Sequence, residues 1–184
     1  MKNLKNIDSS WTLFIDRDGV INHEKHLDYI HTWDEFTFYE GVKEAFKIFN
    51  KKLGLIVIIT NQRGVAKGIT KIENLNLIHS NMLKEIEDSG GRVDNIYVCT
   101  EMESENRKPN AGMGLQAMRD FPEIKLSKSL MVGNTLSDMK FGRNLGVNIN
   151  IFLPTTRKEV PLNHKDIDLV FDDLISFAKA LSVS

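Results

Sequence analysis

The chain has 184 residues, 41% of them hydrophobic and 27% charged, with a formal net charge of −1 and a pI near 6.5. These values suit one globular domain, residues 1–184, with a sizeable core, and they argue against a general polyanion binder, so no nucleic-acid partner is expected. A lone cysteine, Cys99, excludes an intrachain disulfide framework and a multi-cysteine zinc site. The N-terminus has no signal-like apolar core and no run reaches the roughly 18 apolar residues of a membrane span, so a cytoplasmic protein without a membrane partner is expected.

Along the chain, short apolar runs alternate with segments of helical period. WTLFI at 11–15 predicts the first strand, and GVKEAFKIFNKKLG at 41–54 a helix with Val42, Ala45, Phe46 and Phe49 on one face and Gly54 as its stop. LIVIIT at 55–60 is apolar without alternation, as in a strand covered on both faces. Thr70 is expected to start a helix running to Gly90, followed by a strand at 95–100 and a helix over Gly112 to Arg119. LMVG at 130–133 predicts a strand, Asp138 to Leu145 a helix, NIFL at 150–153 a strand, and the tail a last strand and helix. The alternation predicts an α/β fold with a parallel, Rossmann-like sheet.

In an open parallel sheet, ligands gather beyond the carboxyl ends of the strands. Asp16 and Asp18 follow the first strand, Thr60-Asn61-Gln62 the second, and Asn134 to Asp138 the LMVG strand, with Lys108 reaching the same edge from a later loop. A single aspartate at a strand end is most simply a cap or turn residue. Two of them in DRDG raise each other's pKa unless a cation lies between, and Mg²⁺ resolves that conflict while leaving room for water and phosphate. Thr60 and Lys108 offer a hydroxyl and a point charge to a transferring phosphoryl group.

The D-x-D-G at 16–19, Thr60, Lys108 and GNTLSD at 133–138 resemble the four motifs of the haloacid dehalogenase superfamily of phosphohydrolases. DRDGVIN, FTFYEGV at 36–42, TNQRGVAKG at 60–68 and RKPNAGM at 107–113 are similar, in order and spacing, to its heptose-bisphosphate phosphatase and histidinol-phosphatase subfamily. The resemblance implies a sheet with helices on both faces and essentially no cap. It also implies an Mg²⁺-dependent phosphomonoester hydrolase for a small phosphorylated metabolite, a sugar phosphate or bisphosphate or histidinol phosphate, working as a monomer or small homo-oligomer. By the same resemblance Asp16 is the nucleophile and Asp18 the general acid and base, while Thr60 and Lys108 bind the phosphoryl group. Asn61, Gln62 and Arg107 then face the substrate, and Asp16, the Asp18 carbonyl, Asn134 and Asp138 hold the metal.

Two departures stand out. Asn134 replaces the aspartate that usually begins the fourth motif, which weakens metal binding and leaves a non-catalytic phospholigand-binding relative, or a phosphotransferase, as the competing functions. The loop TEMESEN at 100–106 has no Cys or His, so the structural zinc of many relatives is not expected. His23, His26 and His31 are most simply solvated loop residues. GVAKG lacks the spacing of a nucleoside-triphosphate loop.

Overall fold

The computed structural model describes residues 2–25, 27–157 and 159–183; His26 lies outside them. Six strands, β1 (Thr12–Ile15), β2 (Leu55–Asn61), β3 (Asn95–Cys99), β4 (Ser129–Gly133), β5 (Ile149–Phe152) and β6 (Leu169–Val170), form one sheet in the order β3-β2-β1-β4-β5-β6. Every pairing is parallel. Among the described residues five α-helices accompany them: α1 (Val42–Lys52), α2 (Ile72–Asp88), α3 (Gly112–Asp120), α4 (Leu136–Leu145) and α5 (Leu174–Ser182).

The strand sequences explain the layering. Leu13, Ile15, Ile56, Ile58, Leu130 and Val132 pack into one buried cluster with α1, α2 and α5, while Phe14, Val57, Ile59 and Met131 pack into a second with α3 and α4. Successive strand residues point to opposite faces, and both faces are covered, so an uninterrupted apolar run is what burial on two sides demands. Met131 and Met139 are both fully buried.

Boundaries shift where local chemistry intervenes. Thr70 does not start a helix: its hydroxyl lies 2.8 Å from His31 Nδ1, and α2 begins at Ile72. The helix expected to start at Asp138 begins two residues earlier, because Thr135 and Asp138 form a reciprocal capping box. Gly54 lies beyond the C-cap Leu53 of α1; a side chain there would strike the carbonyl oxygen of Ser9. His31 is not merely solvated, since Nε2 is 3.0 Å from Asp28, whereas exposed His23 stacks on Tyr39.

The strand order reverses between β1 and β4, which run side by side with Ile15 opposite Val132. A crevice opens beyond the strand ends at such a switch point. Asp16 and Asn134 both emerge there, with the Asp16 N–H donating to the Val132 carbonyl at 3.0 Å.

Candidate active site

Lys108 is the hub of the crevice. Its Nζ stands 2.7 Å from Asp16 Oδ1 and 2.6 Å from Asp138 Oδ1, and it donates to the Ile59 carbonyl at 2.8 Å. Asn61 fixes the backbone below it: the Asn61 amide donates to the Lys108 carbonyl at 3.1 Å and accepts from the Lys108 N–H at 3.0 Å. Asp138 Oδ2 is already engaged by the Thr135 N–H and hydroxyl, at 3.0 and 2.7 Å. The α4 N-terminus, favourable to negative charge, thus carries a carboxylate pinned on one oxygen and paired to Lys108 on the other. Gly133 permits this approach, because a side chain there would overlap the Asp138 Cβ.

Burial pushes the Asp16 carboxyl up to about 7, Asp138 adds repulsion, and Lys108 opposes both. Asp18 behaves oppositely. Burial works against its ionisation, but the Arg17 charge and hydrogen bonds from Asn22, Arg17 and Gln62 prevail and hold it below the usual range. Its Oδ1 accepts from Arg17 Nη2 at 2.9 Å and Asn22 Nδ2 at 3.0 Å, and its Oδ2 from Gln62 Nε2 at 2.6 Å. Arg17 itself is fully buried, with Nη1 2.9 Å from His79 Nε2 on α2. Burial and the neighbouring guanidinium push His79 down to about 3, so the ring is neutral and Nε2 accepts the Arg17 proton.

Asn134 is fully buried. Its Nδ2 donates to Thr156 Oγ1 at 2.6 Å, while its Oδ1 is buried without a hydrogen-bond partner. Gly19, in the left-handed region at φ +79, lies flush against the amide, since a side chain there would meet Asn134 Nδ2 at 1.9 Å. No group of three or more His, Cys, Asp and Glu side chains poised for a metal occurs among the described residues. A cation at this edge would therefore need neutral oxygens as well as carboxylate. The unpartnered Asn134 Oδ1, one residue past the end of β4 at the β1/β4 switch point, is such an oxygen, and hard oxygen donors suit Mg²⁺.

A cavity of about 500 Å³ opens above these groups. Asp16, Asp18, Asn61, Arg107, Lys108 and Asp138 line it, as do Arg63 and Lys67 from the segment after β2 and Tyr29 from the segment after β1. Of the residues singled out from the sequence, Thr60, Gln62 and Asn134 do not line the cavity: all three are buried, with Gln62 Nε2 bridging Thr60 Oγ1 at 2.9 Å and Asp18. Sequence reasoning missed Arg17, His79, Tyr29, Arg63, Lys67 and Thr156. A histidine among the apolar positions Leu75, Ile78 and Met82 of α2 was a visible signal; Arg17, in a loop between two aspartates, offered none.

The strand order, the crevice and an Asp16–Lys108–Asp138 cluster at the strand ends define a phosphatase of the haloacid dehalogenase superfamily. Residues 11–178 match the family described as polynucleotide kinase 3 phosphatase, and the chain belongs to that family. The chain is 37% identical over 148 residues to the D-glycero-alpha-D-manno-heptose-1,7-bisphosphate 7-phosphatase of Campylobacter jejuni, covering 80% of this chain and 84% of the relative. It is 33% identical over 173 residues to the D-glycero-beta-D-manno-heptose-1,7-bisphosphate 7-phosphatase of Haemophilus ducreyi, covering 89% and 93%. Among solved structures, the D,D-heptose 1,7-bisphosphate phosphatase of B. bronchiseptica, complexed with magnesium and phosphate, superposes with a TM-score of 0.82 at 26% identity, covering 93% of this chain and 97% of that one.

Proposed function

We propose that this protein hydrolyses a phosphate monoester of a small sugar bisphosphate, of the heptose 1,7-bisphosphate kind, through a phosphorylated Asp16. The observation that carries the reading is the juxtaposition of the Asp16–Lys108–Asp138 cluster with three cavity-lining cations, Arg63, Lys67 and Arg107. Among the described residues none of the three forms an ion pair, and Arg107 Nη1 is buried without a hydrogen-bond partner. Arg63 Nε donates to the Tyr29 hydroxyl at 3.4 Å and Lys67 Nζ lies 5.4 Å over the same ring, neutral contacts that leave the charges unbalanced; cations without a carboxylate partner, beyond a site that handles a first phosphate, suit a ligand with a second.

The chemistry follows from the side chains. Asp16 attacks phosphorus in line as the bond to the leaving oxygen breaks, and Asp18 gives that oxygen a proton. Water then attacks the aspartyl-phosphate, its proton passes to Asp18, and inorganic phosphate and free Asp16 result. Asp18 is held ionised here, which suits the second step; a phosphate dianion brought beside it raises its pKa and lets it carry the proton for the first. Lys108 orients Asp16 and meets phosphoryl charge, while Asp138, its two oxygens engaged by Lys108 and Thr135, holds Lys108 instead of the metal that the motif resemblance assigned to it. Mg²⁺, held by Asp16, the Asp18 carbonyl and Asn134, would keep Asp16 ionised and neutralise phosphoryl oxygens.

Phosphate release is measured with both anomers of the heptose bisphosphate, heptose 7-phosphate, histidinol phosphate, a 3′-phosphorylated oligonucleotide and an aryl phosphate, each with Mg²⁺ or a chelator. The expected result is Mg²⁺-dependent release with kcat/KM at least about tenfold higher for a bisphosphate than for the monophosphate, the equivalent of one retained charge contact. Asp16→Asn abolishes it with the fold intact. No Mg²⁺-dependent release from any of them refutes the enzyme, and a preference for the oligonucleotide refutes the substrate class.

A further inference from the structure

Asparagine differs from aspartate in having a right and a wrong edge for a cation. Its Oδ1 is a ligand, whereas its Nδ2 repels a cation with two N–H dipoles. A buried Asn134 can therefore serve a metal only if something takes its nitrogen. Thr156, on the loop after β5, does so at 2.6 Å, and the tight face of Gly19 packs on the same nitrogen edge. The oxygen edge is left buried and unpartnered. The next residue back, Thr155, donates its hydroxyl to the Gly19 carbonyl, so two consecutive threonines tie this loop to both the DRDG turn and Asn134.

We propose that Thr156 is a positioning residue that turns the Asn134 amide oxygen-first toward the cation, making the loop after β5 part of the metal site's supporting shell. The inference rests on the metal reading given above and deepens it. A threonine hydroxyl both donates and accepts. Valine has the same shape and does neither, so in the Thr156→Val variant the amide nitrogen loses its partner and either edge faces the cation.

The test measures cation binding directly. Mg²⁺ is titrated calorimetrically into metal-free protein, with Mn²⁺ binding followed by electron paramagnetic resonance, for wild type, Thr156→Val, Thr156→Ser, Asn134→Asp and the Asn134→Asp/Thr156→Val double variant. Loss of an outer-shell partner weakens metal binding about 10- to 100-fold. That loss is expected for Thr156→Val, with Thr156→Ser near wild type. In the Asn134→Asp background the Thr156→Val loss shrinks below about threefold, because a carboxylate has no wrong edge. A merely structural threonine would give the same loss in both backgrounds. Equal losses, or a Thr156→Val protein that binds like wild type, would overturn the proposal. A wild type that binds neither ion overturns the metal reading itself, and the two failures are told apart by that control.

Discussion

His79 makes stability depend on pH in a way that a single substitution can erase. The unfolded imidazole titrates at 6.5, and in the fold burial and Arg17 push it down to about 3. A histidine with a depressed folded pKa takes up protons on unfolding, so its contribution is fully present above 6.5. It is lost as pH falls through that value toward about 3. Each pH unit inside this window costs about 1.4 kcal/mol, so going from about pH 7.5 to about pH 5 removes about 2 kcal/mol. His79→Gln offers an amide oxygen to the buried Arg17 Nη1, which lies 2.9 Å from the imidazole nitrogen it replaces, and it does not titrate. Urea unfolding followed by tryptophan fluorescence at the two pH values is expected to show an acid loss about 2 kcal/mol smaller in the variant. All other titrating groups are common to both proteins, so a parallel loss in the two would refute the assignment of a neutral, proton-accepting His79.

Gln62→Leu removes the donor to Asp18 Oδ2 without touching the cavity wall, so kcat should fall by about tenfold or more while KM changes little, since a buried charge-assisted hydrogen bond is worth roughly 1.5–3 kcal/mol. Steady-state kinetics on the bisphosphate checks it, and a change confined to KM would show that Gln62 contacts substrate instead. Arg63→Ala, by contrast, should raise KM for the bisphosphate about tenfold and leave heptose 7-phosphate nearly unaffected, the loss of one charge contact; equal effects on the two substrates would place Arg63 at the transferring phosphate.

Much of the scaffold was legible because its rules are local. LIVIIT has no alternation, and β2 is buried on both faces; the apolar stripe of α1 predicted its buried side, Val42, Ala45, Phe46 and Phe49. Asp16, Lys108 and Asp138 could be brought to one edge on paper, since parallel strands send their carboxyl ends the same way. What escaped depends on contacts between residues distant in sequence. Arg17 and His79 are 62 positions apart, and Asn134 and Thr156 are 22 apart. Motif spacing also cannot say which way a side chain turns at a strand end: Asn61 and Gln62 are neighbours, yet Asn61 lines the cavity while gripping the Lys108 backbone and Gln62 turns inward to Asp18.

Asn134 changes the charge sum of the site, and this yields the sharpest test of why an amide is tolerated there. Asp18 is balanced by Arg17 at 2.9 Å, which leaves Asp16 and Asp138 against Lys108, a formal −1. An aspartate at 134 would make the sum −2. With a divalent cation added, the asparagine site becomes +1 and the aspartate site neutral. The amide therefore gives up attraction for the metal and keeps a net positive site for a phosphate dianion. One extra unit charge about 4 Å from a divalent cation is worth about 8 kcal/mol at an effective dielectric of about 20. Desolvating the new carboxylate offsets most of that. Asn134→Asp should then bind Mg²⁺ about tenfold to a hundredfold more tightly and be inhibited less by inorganic phosphate. Titration calorimetry gives the first quantity and product-inhibition kinetics the second. Unchanged Mg²⁺ affinity would put position 134 outside the coordination sphere. Tighter binding of both ions would mean that the charge sum does not govern phosphate affinity, and the amide would need another explanation.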